Sequence, residues 1–286
     1  MLARIAMVLA AVSAAWVACG EVQPPPPIER KPAPPTTPTT PTTPAPEARV
    51  RARAAGEPVR VFFTTRSMGF RHGVLPEARQ ILGDADAARG WVEFEITDEI
   101  EPIAGHNLAG KLGTIDVLML YTTGRLPLDT AVLARWVEGG GAVVGVHSAT
   151  DTLSDDGAYV RLIGGVFDGH PWNEEVTLRI DDARHAAMLP FTREAMETVP
   201  LTFRFADEIY QFKSLAPDRR VVMSLSPGNP KMEEGREYPL AWTREPGKGR
   251  VFYTALGHRP EVWRDARFVE HVLNGIRWAA RAEASK

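Results

Sequence analysis

Between Gly139 and Asp151 the chain reads GGGAVVGVHSATD, and no other stretch so narrows what the protein can fold into. An apolar run, Ala142 to Val146, separates a glycine triplet from a compact polar cluster. A short apolar run bounded by glycine reads as a buried strand. In an open α/β sheet, the residues just past the carboxyl end of such a strand line the crevice where ligands bind. One segment thus supplies a central strand and, in His147, Ser148, Thr150 and Asp151, the polar edge of a pocket. The triplet itself reads as a tight turn.

The flanking chain repeats the pattern. Val59 to Thr64 is a strand, Leu75 to Ala88 has helical spacing, and Trp91 to Thr97 alternates with period two. Ile115 to Tyr121 is a near-continuous apolar run, and Asp129 to Val137 places Leu133, Trp136 and Val137 on one helical face, stopped by Gly139. This rhythm predicts a parallel sheet with crossover helices. After His170 the texture changes. Glu174 to Ile180, Phe203 to Phe212, Arg220 to Leu225, Leu240 to Thr243 and Arg250 to Leu256 read as strands with few helices between, an antiparallel extension of the sheet. A final helix, Asp265 to Ala280, carries Phe268, Val272 and Ile276 at four-residue spacing, as a core-facing stripe requires. Residues 59–281 form one folded domain in this reading.

The start of the chain differs. Residues 1–18 carry Arg4 and an apolar stretch ending in small residues, which reads as an export signal. Cys19, the single cysteine, follows directly. Val17-Ala18-Cys19-Gly20 resembles a bacterial lipobox, with Trp16 where leucine is usual. The expectation is lipidation at Cys19 and a cell-envelope lipoprotein, anchored to the membrane by that lipid only; the alternative is a cleaved, secreted or periplasmic soluble protein. Residues 19–58 hold half of the 24 prolines and read as an extended tether. A lone cysteine excludes an intrachain disulfide. A net charge of −3 gives no footprint for nucleic acid.

Four histidines stand beside turns that follow predicted strands or glycine pairs: His72, His147, His170 and His258. In a parallel sheet such turns lie at one end, so these residues are expected to converge. Imidazoles titrate near neutrality and can move protons. His147 is the candidate base, His258 and His72 the partner acid or substrate donor, and Glu208 the orienting carboxylate. Arg71 could bind an oxyanion, Ser148 and Thr150 could meet a polyol, and Asp151 and His170 would complete the wall. Phe70, Trp172 and Tyr210 could pack on a sugar face. The competing explanation is a divalent metal held by His72, His147 and His258, although no compact ligand motif is present. No cofactor is otherwise implied. His106, His185 and His271 lack the turn context and read as surface or structural residues.

Phe70-Arg71-His72, Gly145 to Asp151, Gly164-Gly165 to Phe167 with His170-Pro171, and Gly249 to Tyr253 with Gly257-His258 together resemble the ThuA-like (trehalose utilisation) family, over essentially all of residues 59–281. The resemblance implies a class I glutamine amidotransferase-like fold, a flavodoxin-like three-layer α/β sandwich. In that superfamily a nucleophilic cysteine occupies Gly-x-Cys-x-Gly after a central strand. Here Gly145-Val146-His147-Ser148-Ala149 stands in its place, so glutamine hydrolysis through a thioester is excluded for want of a thiolate. The superfamily's His-Pro-Glu is only echoed by His258-Arg259-Pro260-Glu261. The family's best-known members work beside sugar oxidoreductases, with 3-keto-sugars as proposed intermediates. The expectation is therefore a hydrolase or isomerase acting on a small carbohydrate, with a sugar oxidoreductase as possible partner. The alternative is a non-catalytic carbohydrate-binding or scaffolding lipoprotein.

Overall fold

Apolar side chains on both faces make a strand a central one, and β1 (Val59–Thr64), β3 (Val117–Leu120), β4 (Ala142–Val146) and β11 (Arg250–Thr254) are buried almost throughout. The computed structural model describes residues 48–195 and 200–282; the expected export signal, Cys19 and most of the expected tether lie outside the described residues. The remaining strands are β2 (Val92–Thr97), β5 (Val166–Phe167), β6 (Trp172–Ile180), β7 (Thr202–Ile209), β8 (Phe212–Lys213), β9 (Arg220–Leu225) and β10 (Pro239–Arg244). The helices are α1 (Leu75–Arg89), α2 (Asn107–Leu112), α3 (Thr130–Glu138), α4 (Gly157–Ile163), α5 (Leu189–Ala195), α6 (Pro260–Arg264) and α7 (Ala266–Ala279).

One nine-stranded sheet runs β2-β1-β3-β4-β11-β10-β9-β6-β7. Its first five strands are parallel, with Val61 beside Val117, Val117 beside Ala142 and Phe252 beside Val144; the rest are antiparallel. The chain moves one way from β1 to β2 and the other way from β2 to β3 to β4. Right-handed crossovers then place α1 on one face and α2 and α3 on the other. Helix contacts agree: α1, α6, α7 and α5 pack in series, and α2, α3 and α4 form a separate group. This is the three-layer, flavodoxin-like sandwich with an antiparallel extension that the sequence predicts.

Local chemistry fixes the element ends. Asp129, Asp156 and Asp265 cap α3, α4 and α7 by accepting backbone N–H bonds. At the end of α3, Gly139 stays helical and Gly140 takes φ 126. Gly141 lies so close to Trp136 that a Cβ would sit 2.3 Å from the indole. The triplet is therefore both a turn and a packing contact.

Three features depart from the sequence reading. The strand expected over Phe203 to Phe212 breaks after Ile209, because Phe212 and Lys213 leave the sheet to pair with β5. Helices α2, α4, α5 and α6 have five to seven residues each, too few turns to show a periodicity. Residues 48–58 include the end of the expected tether, yet Arg51 reaches Asp116 at 2.9 Å and Glu57 at 2.7 Å, against the domain.

The antiparallel part has a geometry that positions the site. β6 meets β9 only at Leu178 to Ile180, while it meets β7 from Trp172 to Arg179. The other end of the β6–β7 ribbon therefore runs free of the sheet. It returns over the end of β11, where Asp207 accepts from the N–H of Gly257 at 2.7 Å and of Arg259 at 3.1 Å.

Candidate functional site

The carboxyl ends of β1, β3, β4 and β11 share one rim, and the chain leaves each with a polar or aromatic residue near the same point. The loop after β1 carries His72, Tyr121 follows β3, His147 follows β4, and His258 follows β11. β4 and β11 are neighbours in register at Val146 and Thr254, so the next residues also face each other. His147 Nδ1 accordingly donates to the Ala255 carbonyl at 2.6 Å. That bond places a proton on Nδ1 and turns Nε2 toward the cluster.

His147 holds φ 46, the left-handed region that a non-glycine residue occupies at a cost of about 1–2 kcal/mol. The strand stops there, and residues 147–151 form a tight turn. Tyr253 Oη donates to the His147 carbonyl at 2.6 Å and braces the turn. Gly145 permits it: a Cβ there would lie 2.7 Å from Ile163 Cδ1 and 3.1 Å from Ala149 Cβ.

Glu208, from the returning ribbon, completes the centre. Its Oε2 lies 3.3 Å from His147 Nε2 and 3.1 Å from His258 Nδ1, and those two nitrogens are 3.2 Å apart. Its other oxygen is 3.3 Å from His170 Nδ1. The His72 ring lies 4.9 Å from that of His147 and 5.2 Å from that of His258, centre to centre. His72, His147 and Glu208 are buried, His258 is partly open, and His170 is half exposed at the mouth. The expected convergence is present.

Electrostatics divides the four groups. Burial, helped by the neighbouring imidazoles, pushes His72 down to about 3 and keeps it neutral. Burial alone would raise Glu208, but hydrogen bonds from His147 and His258 outweigh it and hold the carboxyl below its ordinary range. His258 is raised by its hydrogen bond to Glu208. Asp207, fully buried, is raised by burial, against the opposing pull of His147 and the Gly257 and Arg259 N–H groups.

The other expected wall residues divide. Tyr210 packs its ring 4.1 Å from that of His147, and Phe167 lies 4.3 Å from Tyr210. Phe70 is 67% exposed and sits edge-on to His72, a free aromatic face at the rim. Two expectations are corrected, at Thr150 and Trp172. Thr150 is buried, with its hydroxyl 3.0 Å from Tyr253 Oη, so it holds the turn instead of meeting a polyol. Arg71 is engaged by Asp98 at 2.9 Å. Trp172 is fully buried and donates to the Pro230 carbonyl. Ser148 is buried, with an Oγ that has no hydrogen-bond partner among the described residues, and Asp151 is half-buried, its carboxyl pushed up by burial.

Asp207 and Tyr121 take roles in the site that the sequence reading does not assign. Gly257, at φ 124, donates to Asp207 and accepts from Tyr121 Oη and Trp263 Nε1, both at 2.8 Å, which sets His258 in place. The available signal was the pair Asp207-Glu208 in a strand otherwise rich in apolar residues. A cavity of about 530 Å³ lined by Arg53, Arg89, Trp91 and Arg281 lies by the amino ends of β1 and β2, away from this chemistry. Two of its arginines are engaged, Arg53 with the Glu57 and Arg281 carbonyls and Arg89 with Glu270.

Comparison with known proteins bears on this arrangement. A ThuA-like protein of Bacteroides uniformis aligns with a TM-score of 0.61 at 23% identity, covering 80% of this chain and 94% of that one. A second, from Parabacteroides merdae, aligns at 0.60 and 18% identity over 80% and 92%. At these identities the likeness shows the fold. No curated protein matches the chain. The sequence profile of the ThuA family, described as trehalose utilisation, matches residues 60–279. With its profile spanning the sheet and every residue of the His–Glu cluster, the chain belongs to the ThuA family of the class I glutamine amidotransferase-like superfamily.

Proposed function

We propose that this ThuA-family protein processes a sugar or keto-sugar by proton transfer at the His147–His258–Glu208 cluster, in a hydrolysis or isomerisation. The observation that carries the reading is the triangle of Glu208 Oε2, His147 Nε2 and His258 Nδ1, with edges of 3.1–3.3 Å. Titratable groups in mutual hydrogen-bond reach make a proton-transfer centre, whereas isolated imidazoles facing aromatics would suit a binding module. His258, partly open, faces the incoming substrate; His147 lies behind it, held by Ala255. Phe70 offers its exposed face to the apolar side of a sugar ring. The family's link to trehalose utilisation supports a carbohydrate as substrate. In the same reading the chain is exported and lipidated at Cys19, and a sugar oxidoreductase supplies or consumes the keto-sugar.

The test is direct. The full chain is incubated with trehalose, other disaccharides and their 3-keto derivatives, and products are followed by NMR. Turnover that falls about 10²–10⁴-fold in His258→Ala and Glu208→Gln supports the proposal. A raised melting temperature with a sugar but no product points instead to a binding module, and no response to any sugar removes the carbohydrate reading.

A further inference from the structure

Three imidazoles and one carboxylate converge on a single point. His147 donates from Nδ1 to the Ala255 carbonyl, which turns its Nε2 toward the cluster. Glu208 Oε2 and His258 Nδ1 meet that nitrogen at 3.3 and 3.2 Å. His72 adds a buried Nδ1 with no hydrogen-bond partner among the described residues. Imidazole nitrogens and a carboxylate oxygen gathered from separate loops around one point are the arrangement a cation completes.

The spacing agrees in magnitude. Zinc binds imidazole nitrogen and carboxylate oxygen at about 2.0–2.2 Å, so neighbouring corners of its tetrahedron stand about 3.3 Å apart. The three edges here are 3.1, 3.2 and 3.3 Å, the face of such a tetrahedron. All four ligand atoms, His72 included, fall within 4.8 Å of one another. His72 stands on the remaining side of that triangle. An outer layer is also present. Ala255 orients His147, and His170 holds Glu208 by the oxygen not used in the triangle, the support that metal-binding side chains require.

We propose that His147, His258 and Glu208, with His72 at the fourth side, form a binding site for a divalent transition-metal ion. The set of imidazole nitrogens and one carboxylate suits zinc or a neighbouring first-row ion rather than calcium or magnesium. The inference rests on the reading of this cluster as the reactive centre: an ion held by His147, His258 and Glu208 would supply a bound water acidic near neutrality for the same proton transfer.

The test uses the full chain, stripped with EDTA and checked for fold by circular dichroism. It is titrated with zinc sulfate by calorimetry, and the metal content of the unstripped protein is measured by mass spectrometry. About one equivalent should bind. His258→Ala should abolish binding, His170→Ala should weaken it about tenfold by loosening Glu208, and His106→Ala, on an exposed residue, should leave it unchanged. No binding to the folded wild type overturns the site, as does equal binding to wild type and His258→Ala. Full sugar turnover by stripped protein overturns the metal's role while the carbohydrate reading survives. One equivalent bound with no sugar processed upholds the metal site and removes the sugar-processing reading.

Discussion

At the scale of single residues, two kinds of histidine share this molecule. His147 is held at φ 46 by its neighbours, so the usual preference for alanine over glycine should reverse there. We expect His147→Gly to be more stable than His147→Ala by about 1 kcal/mol in urea unfolding; the opposite order would show that the turn relaxes when the imidazole is lost. His185 and His271 lie away from the cluster yet are buried, each pushed down to about 4, by burial before any other cause. Both stay neutral in the fold, while the unfolded chain takes up protons near pH 6.5. Their contribution is therefore complete above about pH 6.5 and is lost as pH falls toward about 4, at up to about 3 kcal/mol each. Urea midpoints measured from pH 7 to 4 should fall accordingly, and His271→Gln should flatten the slope. An unchanged slope would place the acid sensitivity elsewhere.

Among the elements, legibility followed locality. β1, β3, β4 and β11 could be read because each is an apolar run that any buried strand must be, and α7 because its stripe recurs every turn. The histidines could be placed because each follows a strand or a glycine pair. The ribbon could not: nothing in Glu174 to Ile180 or Thr202 to Ile209 says that β7, last in strand order, reaches back to the middle of the sheet. That return depends on Asp207, whose partners are backbone groups some fifty residues away. Asp207→Ala leaves two buried N–H groups without an acceptor, and we expect a loss of about 2–4 kcal/mol with faster amide exchange at residues 205–209 and 257–259. Slow exchange in both segments would mean that other contacts hold the ribbon. Gly145→Ala tests the neighbouring turn; with Ile163 2.7 Å from the new methyl, overpacking should cost about 1–3 kcal/mol, read as a lowered unfolding midpoint.

At the scale of the whole molecule, the folded unit starts before its first strand. Arg51 joins Asp116 and Glu57 beneath the sheet, and Asp116 also accepts the Arg60 N–H at 2.9 Å. Arg51→Ala leaves a mostly buried carboxylate unpaired and should lower stability by about 3 kcal/mol; a shift below about 0.5 kcal/mol would make residues 48–58 a passive leader. The sandwich supplies the imidazoles from its own rim, whereas the carboxylate comes from the periphery, on β7. Because Glu208 travels on a two-stranded arm, its position is set by arm length and by the Asp207 bonds that dock the arm on Gly257 and Arg259. Adding two residues to each strand would slide it by roughly 7 Å, beyond the grasp of every imidazole, with the layers beneath undisturbed. The arm is thus a ruler, and trimming or extending it offers a way to retune or silence the centre while sparing the scaffold.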